Sequence, residues 1–130
     1  MFRKPNPASG VPIYVQLKEQ IQHAIETGAL PPGDQLPSIR AMAEDLVINP
    51  NTVIRVYRDL EASGVIEVRH GLGAFVAVSR RVRAQTDRMR SAQKLVRALI
   101  KQLKTLGLEE DEIRRLVEAE IVEPELTSRR

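Results

Sequence analysis

The segment Val47-Ile48-Asn49-Pro50-Asn51-Thr52-Val53 tells most about how this chain folds. Asparagine is a favourable helix N-cap, and proline is tolerated at the first helical position because its missing N–H would have no partner there. The segment therefore predicts a helix that begins at Pro50 and carries Asn51 and Thr52 at an exposed tip. A helix with a polar tip, entered by a tight turn from an earlier helix, is the geometry that reads base edges in the major groove of DNA.

Helical periodicity is found on both sides of this segment. Apolar residues recur at three- and four-residue spacing from Pro12 to Gly28, which predicts a first helix. A second helix is predicted with Ser38 as its N-cap, and the third is predicted to run to about Ser63. The residues expected in the core are Ile13, Leu17, Ile21, Ala24 and Ile25 of the first helix, Ala41, Met42 and Leu46 of the second, and Val53, Val56, Tyr57 and Leu60 of the third.

After Gly64 the apolar period changes from that of a helix to that of a strand. Residues 65–69 and 74–78 are predicted to be two short strands, joined by the glycine-bearing turn His70-Gly71-Leu72-Gly73. Three helices followed by such a hairpin form a winged helix-turn-helix. The predicted fold class is mainly α with a small β-hairpin, an N-terminal winged helix-turn-helix being followed by a short two-helix C-terminal dimerisation region.

A second part of the chain begins near Ser79. Four apolar residues spaced by seven, from Val82 to Leu103, predict a heptad-like seam on a long helix that ends at Gly107, and a shorter helix follows. The seam can pack against the last helix of the same subunit, but two helices with one stripe each make a thin core. We therefore expect pairing with a second copy in a two-fold molecule. The predicted dimer contacts are Met89, Val96, Leu99, Leu103, Leu106, Leu116, Val117 and Ile121.

The sequence predicts four parts: a flexible arm (1–10), a winged helix-turn-helix DNA-binding domain (11–78), a helical dimerisation region (79–123) and a loose tail (124–130).

The charge is unevenly distributed along the chain. Residues 1–79 hold 7 Lys/Arg against 8 Asp/Glu, residues 80–104 hold 9 against 1, and residues 105–130 hold 4 against 8. Most of the positive charge thus lies after the predicted reader helix.

Composition narrows the functional classes. Apolar residues make up 42% of the 130 residues and charged residues 28%, which favours one folded domain with an appendage over a disordered chain. There is no Cys, and no catalytic or nucleotide-binding motif, so no metal, no cofactor and no enzyme activity are predicted. Four aromatic residues give little support for stacking on single-stranded nucleic acid. Without a signal-peptide core, or an apolar run near the roughly 20 residues that span a bilayer, the chain is predicted to be cytoplasmic with no membrane partner.

Three blocks of the sequence resemble the GntR family of bacterial transcription regulators. The blocks lie within roughly residues 10–78, in the family's order and spacing, and are Leu36-Pro37-Ser38-Ile39-Arg40, Asn49-Pro50-Asn51-Thr52-Val53 and Arg69-His70-Gly71-Leu72-Gly73-Ala74-Phe75-Val76. The second block and the short helical tail look most like the YtrA subfamily, which implies a dimeric repressor whose gene is often linked to membrane transport systems. The chain departs from the family pattern at Val47, where glycine is usual, and at Ala74, where threonine is usual.

The polar tip and the resemblance together select the candidate DNA contacts. Arg40 stands in the first turn of its helix, where the dipole disfavours a cation, which indicates a phosphate or guanine partner; the alternative is a surface pair with Glu44. His70 is expected at the wing tip, which in the family approaches the minor groove; the alternatives are a metal ligand or an idle turn residue. The predicted DNA contacts are Arg40, Asn49, Asn51, Thr52, Ile54, Arg55, Arg58, Arg69, His70 and Gly71. Arg80, Arg81 and Arg83 are predicted phosphate contacts, with a solvated helix face as the alternative.

The sequence patterns and the family resemblance together predict a homodimeric repressor that binds double-stranded DNA sequence-specifically. Its predicted operator is an inverted repeat whose half-sites lie about 34 Å apart. The subfamily resemblance adds a transport operon as the target. Two alternatives stay open: a non-specific architectural DNA-binding protein, favoured by the basic residues 80–104, and a winged-helix protein-interaction module, favoured by the net charge of −1 over residues 1–79. A small-molecule effector between the subunits is also left open, and the sequence identifies none.

Overall fold

The computed structural model describes residues 2–122, so the predicted tail lies outside the described residues. Within them the chain forms a short 3-10 helix, five α-helices and one antiparallel hairpin. The elements are the 3-10 helix Pro7–Ser9, α1 (Ile13–Glu26), α2 (Ile39–Leu46), α3 (Pro50–Ala62), β1 (Ile66–Arg69), β2 (Gly73–Val76), α4 (Arg80–Thr105) and α5 (Glu110–Val122). This order confirms the predicted fold class. No helix among the described residues is long and apolar enough to cross a membrane.

Side-chain hydrogen bonds fix the beginnings of α2 and α3. Ser38 Oγ accepts the N–H of Ala41 at 3.0 Å, and Asn49 Oδ1 accepts the N–H of Asn51 at 2.8 Å. Each bond satisfies a backbone donor that has no partner within the helix. Both predicted N-caps are confirmed, and α3 begins at Pro50 as predicted.

The end of α2 is a Schellman motif built around Val47. The N–H of Ile48 donates to the Ala43 carbonyl at 3.0 Å, and the N–H of Val47 donates to the Glu44 carbonyl at 3.4 Å, the two bonds that define this motif. The motif requires a left-handed residue, and Val47 has φ 55° and ψ 54°. Val47 therefore adopts the conformation for which glycine is the usual choice, and the turn into α3 is closed by a strained β-branched residue.

The hydrophobic core lies among α1, α2, α3, the hairpin and the first turn of α4. Its fully buried members are Leu17, Ile21, Val53, Val56, Leu60, Ile66, Val76 and Val82. Of the core residues predicted on the first three helices, only Ile13 and Ala41 are half-buried, and the rest are buried. Tyr57 is also in the core, where its hydroxyl donates to the Pro37 carbonyl at 2.6 Å and burial raises its pKa from 10.0 to about 12. This bond ties α3 to the residue just before the cap of α2.

The hairpin is extended on one side by the segment that leads into α2. β1 pairs with β2 from Ile66 opposite Val76 to Arg69 opposite Gly73. On the other edge of β2, the N–H of Leu36 donates to the Ala74 carbonyl and the N–H of Val76 donates to the Asp34 carbonyl, both at 2.8 Å. The wing is thus held by backbone hydrogen bonds along both edges of β2.

The chain forms two compact units, one up to Arg90 and one from Ser91 onward. The first turns of α4 pack in the first unit, where Val82 and Thr86 are buried and the Thr86 hydroxyl donates to the Ile25 carbonyl at 3.2 Å. In the second unit, α4 continues and α5 follows. Among the residues of this unit that the structure describes, Ile113 alone is buried.

Candidate nucleic-acid interface

The exposed face of α3 carries most of the predicted reader residues. Asn51, Arg55 and Arg58 are exposed and follow one another at spacings of four and three, so they share one face of the helix. Thr52 and Ile54 are half-buried and flank this face. The opposite face of α3 is buried in the core, which fixes the helix in place. The exposed face therefore presents one amide and two guanidinium groups to the solvent.

Asn49 and Arg40 have partners within the chain. The Asn49 side chain caps α3, and this capping role by itself explains why an asparagine stands at this position. The Arg40 side chain is 89% exposed, and its Nε donates to Glu44 Oε1 at 3.1 Å, so the surface pair considered as the alternative is formed. An exposed pair of this kind contributes about 1 kcal/mol at most. Arg40 can therefore exchange Glu44 for a DNA partner at little cost.

Two candidate arginines lie over aromatic rings. The Arg55 guanidinium carbon is 3.6 Å from the centre of the Tyr14 ring, which comes from α1. The Arg69 guanidinium carbon is 4.4 Å from the centre of the Phe75 ring, and Arg69 Nη2 is also 3.7 Å from Glu67 Oε2. Both arginines are consequently held in defined directions by neighbouring elements.

The wing turn is braced by a side chain from outside the hairpin. His70 and Gly71 are exposed at the turn, and Gly71 has φ 77°, a conformation that L-residues rarely adopt. Gln35 Nε2 donates to the Leu72 carbonyl at 2.8 Å, across 37 residues of sequence. No group of His, Asp or Glu side chains that fits a metal ion occurs among residues 2–122.

The arginines of α4 differ in their surroundings. Arg81 Nη2 donates to the Ser63 carbonyl at 2.6 Å, and Arg90 Nε donates to the Thr27 carbonyl at 3.2 Å. These carbonyls are at the C-terminal ends of α3 and α1, where the helix dipole favours a cation. Since α3 is 13 residues long, Arg81 binds it about 20 Å from the reader tip. Arg80 and Arg83 are exposed, and their predicted phosphate role stays a prediction.

Most of the predicted dimer contacts are exposed in the single chain. Val96, Leu99, Leu106, Leu116, Val117 and Ile121 are exposed, whereas Met89 and Leu103 are half-buried. Within the second unit, α4 and α5 border an apolar groove of about 980 Å³. Val96 and Leu99 from α4 and Ile113 and Val117 from α5 are among its lining residues.

Sequence reasoning missed three residues that support the candidate contacts: Tyr14, Gln35 and Phe75. Tyr14 is half-buried, packs against the core and precedes the buried Leu17 by three residues, so its helical spacing indicates a core residue and gives no sign of the contact with Arg55. Nothing in the local sequence of Gln35 points to the wing, because its partner is 37 residues away.

Comparisons with known proteins agree with this geometry. Residues 13–76 match the profile of the GntR family of bacterial regulatory proteins. The transcriptional repressor YtrA of Bacillus subtilis is 35% identical over 98 residues, which cover 75% of this chain and 72% of that protein. The structure of YtrA from Sulfolobus acidocaldarius, a GntR-family transcription factor, is similar with a TM-score of 0.54 and 32% identity, covering 92% of this chain and 97% of that one. The AraR DNA-binding domain, solved with operator ORE1, has a TM-score of 0.51 and 27% identity, covering 59% of this chain and 95% of that one.

Proposed function

The chain belongs to the GntR family of bacterial regulatory proteins and to its YtrA subfamily, and from this premise we propose that it is a homodimeric repressor that binds an inverted-repeat operator in double-stranded DNA. As a member of the family it is a transcription regulator with a winged helix-turn-helix DNA-binding domain, and it is not an enzyme. The family resemblance drawn from the three sequence blocks is confirmed.

The exposed face of α3 is the observation that carries the proposal. Asn51 offers an amide suited to an adenine edge, and Arg55 and Arg58 offer cations suited to guanine or phosphate. The braced wing is in the same compact unit as α3. The similarity to AraR, solved with an operator, supports double-stranded DNA as the partner.

Apolar exposure in the second unit supports the homodimer. Leu106 is 75% exposed and Ile121 is 68% exposed, and the only buried residue that the structure describes in this unit is Ile113. A unit of about 40 residues rarely holds a sufficient core by itself, and contiguous exposed apolar surface marks an interaction site. A second copy would cover the groove between α4 and α5 and relate two reader helices by a two-fold axis.

The experiment that tests the proposal is selection of bound duplexes from a random DNA pool at about 150 mM salt, with Asn51→Ala as the matched variant. We expect an inverted repeat whose half-sites are centred about 34 Å apart, and a changed or weaker preference for the variant. Binding without an enriched motif would favour an architectural protein. Absence of binding would favour the protein-interaction module. If the recovered operator lies before transporter genes in the source genome, the transport-operon part of the proposal is supported.

The dimer is tested by light scattering during size-exclusion chromatography. We expect twice the chain mass for the wild type and a loss of the dimer for Leu99→Glu, because a carboxylate would be buried in the apolar contact. Leu72→Glu is the matched control, since Leu72 is 65% exposed on the wing and lies in the other unit. A monomeric wild type would contradict the dimer.

A further inference from the structure

Two of the four aromatic rings in this chain lie against arginines that are candidate DNA contacts. The two pairs differ in what else surrounds the arginine. Arg69 also has Glu67 within 3.7 Å, so a carboxylate competes for its N–H groups. None of the ion pairs among the described residues includes Arg55. The Tyr14–Arg55 pair is therefore the simpler case, with an aromatic partner and no competing anion.

The distance between Tyr14 and Arg55 defines how the guanidinium is presented. A guanidinium carbon 3.6 Å from the ring centre is in van der Waals contact with the face of the ring. A guanidinium carries its five N–H donors around its edge and in its own plane, so contact through its face leaves those donors available. The stack thus fixes the direction of the Arg55 side chain without consuming its hydrogen-bonding capacity.

The elements that carry the pair are themselves fixed to each other. Leu17 of α1 and Val53 and Val56 of α3 are fully buried in the same core. One helical turn further along, Lys18 Nζ of α1 lies 3.8 Å from Asp59 Oδ2 of α3. Tyr14 therefore stands on a rigid neighbour of the reader helix, and its ring is a fixed support.

We propose that Tyr14 is a positioning residue for operator binding: its ring holds the Arg55 guanidinium so that the free N–H edge meets a phosphate of the DNA backbone. This inference rests on the proposed function. A stacked arginine has lost much of its rotamer freedom before DNA arrives, so less conformational entropy is lost on binding. Tyr14 acts through Arg55, and its own hydroxyl is not needed.

The test is a double-mutant cycle, with affinity for the selected operator duplex measured by fluorescence anisotropy. Tyr14→Phe keeps the ring and should bind within about twofold of the wild type. Tyr14→Leu keeps an apolar side chain without the ring and should weaken binding about 2- to 5-fold, the range of an exposed cation–π contact. Arg55→Ala should weaken binding further, and adding Tyr14→Leu to Arg55→Ala should change nothing more.

Salt dependence separates positioning from charge. Arg55→Ala should reduce the slope of log affinity against log salt by about 0.9, whereas Tyr14→Leu should leave the slope unchanged because the cation is still present. In the DNA-free protein, the ring current of Tyr14 should shift the Arg55 Nε–H resonance, and this shift should be lost in Tyr14→Leu and kept in Tyr14→Phe. That readout holds even where the leucine variant is less stable.

Four results would overturn the proposal. Equal losses for Tyr14→Phe and Tyr14→Leu would mean that the hydroxyl contacts DNA. Additive losses in the cycle would mean that Tyr14 and Arg55 act separately. A wild type that selects an operator but is unaffected by Tyr14→Leu would refute the role of Tyr14 alone, while a wild type that binds no duplex would refute the proposed function together with it.

Discussion

Val47 should be replaceable by a residue that makes the protein more stable. At φ 55° and ψ 54° it occupies the left-handed position of the Schellman motif at the end of α2. In that region an L-residue loses about 1–2 kcal/mol through the clash of its Cβ with the backbone, and asparagine and glycine are the residues that tolerate it best. Val47 is the only non-glycine residue of positive φ among residues 2–122.

The expected gain follows from what Val47 does not contribute. Its side chain is 74% exposed, so replacing it sacrifices little buried apolar area. Val47→Asn should therefore recover about 1 kcal/mol. Val47→Gly removes the same strain but adds about 0.4–1 kcal/mol of unfolded-chain entropy, so its gain should be smaller. For a unit of this size, 1 kcal/mol corresponds to roughly 4–8 °C in melting temperature.

Thermal and urea unfolding would measure these differences. Val78→Asn is the matched control, because Val78 is 49% exposed, lies outside the helices and strands and does not have a positive φ. The asparagine should raise the melting temperature at position 47 and leave it unchanged or lower at position 78. If Val47→Asn and Val47→Gly were both no more stable than the wild type, the assignment of strain to Val47 would be refuted.

Four further predictions concern Arg40, Tyr57 and the arginines at the start of α4. Arg40→Ala should weaken operator binding by about 1–3 kcal/mol if Arg40 contacts a base. The melting temperature should not change, because the pair with Glu44 is exposed. An unchanged affinity would remove Arg40 from the interface. Tyr57→Phe should lower the free energy of unfolding by about 1 kcal/mol near neutral pH by removing the bond to the Pro37 carbonyl, as urea unfolding would show. Burial raises the pKa of Tyr57 from 10.0 to about 12, so the unfolded chain loses this proton at a lower pH than the folded protein does. Between pH 10 and 12 the free energy of unfolding of the wild type should therefore fall by up to about 1.4 kcal/mol per pH unit relative to that of Tyr57→Phe. Parallel pH profiles for the two proteins would contradict this. Arg81→Ala should lower the free energy of unfolding by about 0.3–1 kcal/mol and leave the slope of log DNA affinity against log salt unchanged. Arg83→Ala should reduce that slope by about 0.9. The reverse pattern would exchange the roles of the two arginines.

Local patterns were sufficient to predict the five α-helices and the hairpin, but not the 3-10 helix Pro7–Ser9. The caps Ser38 and Asn49, the first helical residue Pro50 and the change of period after Gly64 each depend on neighbours within a few residues. The same reasoning placed Asn51 and Arg55 on the exposed face of α3, because helical spacing relates them directly to the buried stripe.

The contacts that support the candidate site could not be predicted in this way. Gln35 donates a hydrogen bond to Leu72, 37 residues away, and Arg90 donates one to Thr27, 63 residues away. No local sequence pattern predicts either of these contacts. The conformation of Val47 could not be predicted from composition either, because the residue type argues against it. The hydrogen bonds of the Schellman motif, which depend on where α2 ends, outweigh the preference of a single side chain.

Packing of two arginines also changes how the charge of residues 80–104 is understood. Arg81 and Arg90 donate to the last carbonyls of α3 and α1, where the helix dipoles provide partial negative charge. Each guanidinium lies where a Cβ on the neighbouring glycine, Gly64 or Gly28, would collide with it. Part of the positive charge after the wing therefore attaches α4 to the reader domain. Fewer cations are left for DNA phosphates than the composition suggests, which weakens the case for an architectural protein and supports the proposal that α3 and the wing provide the specificity.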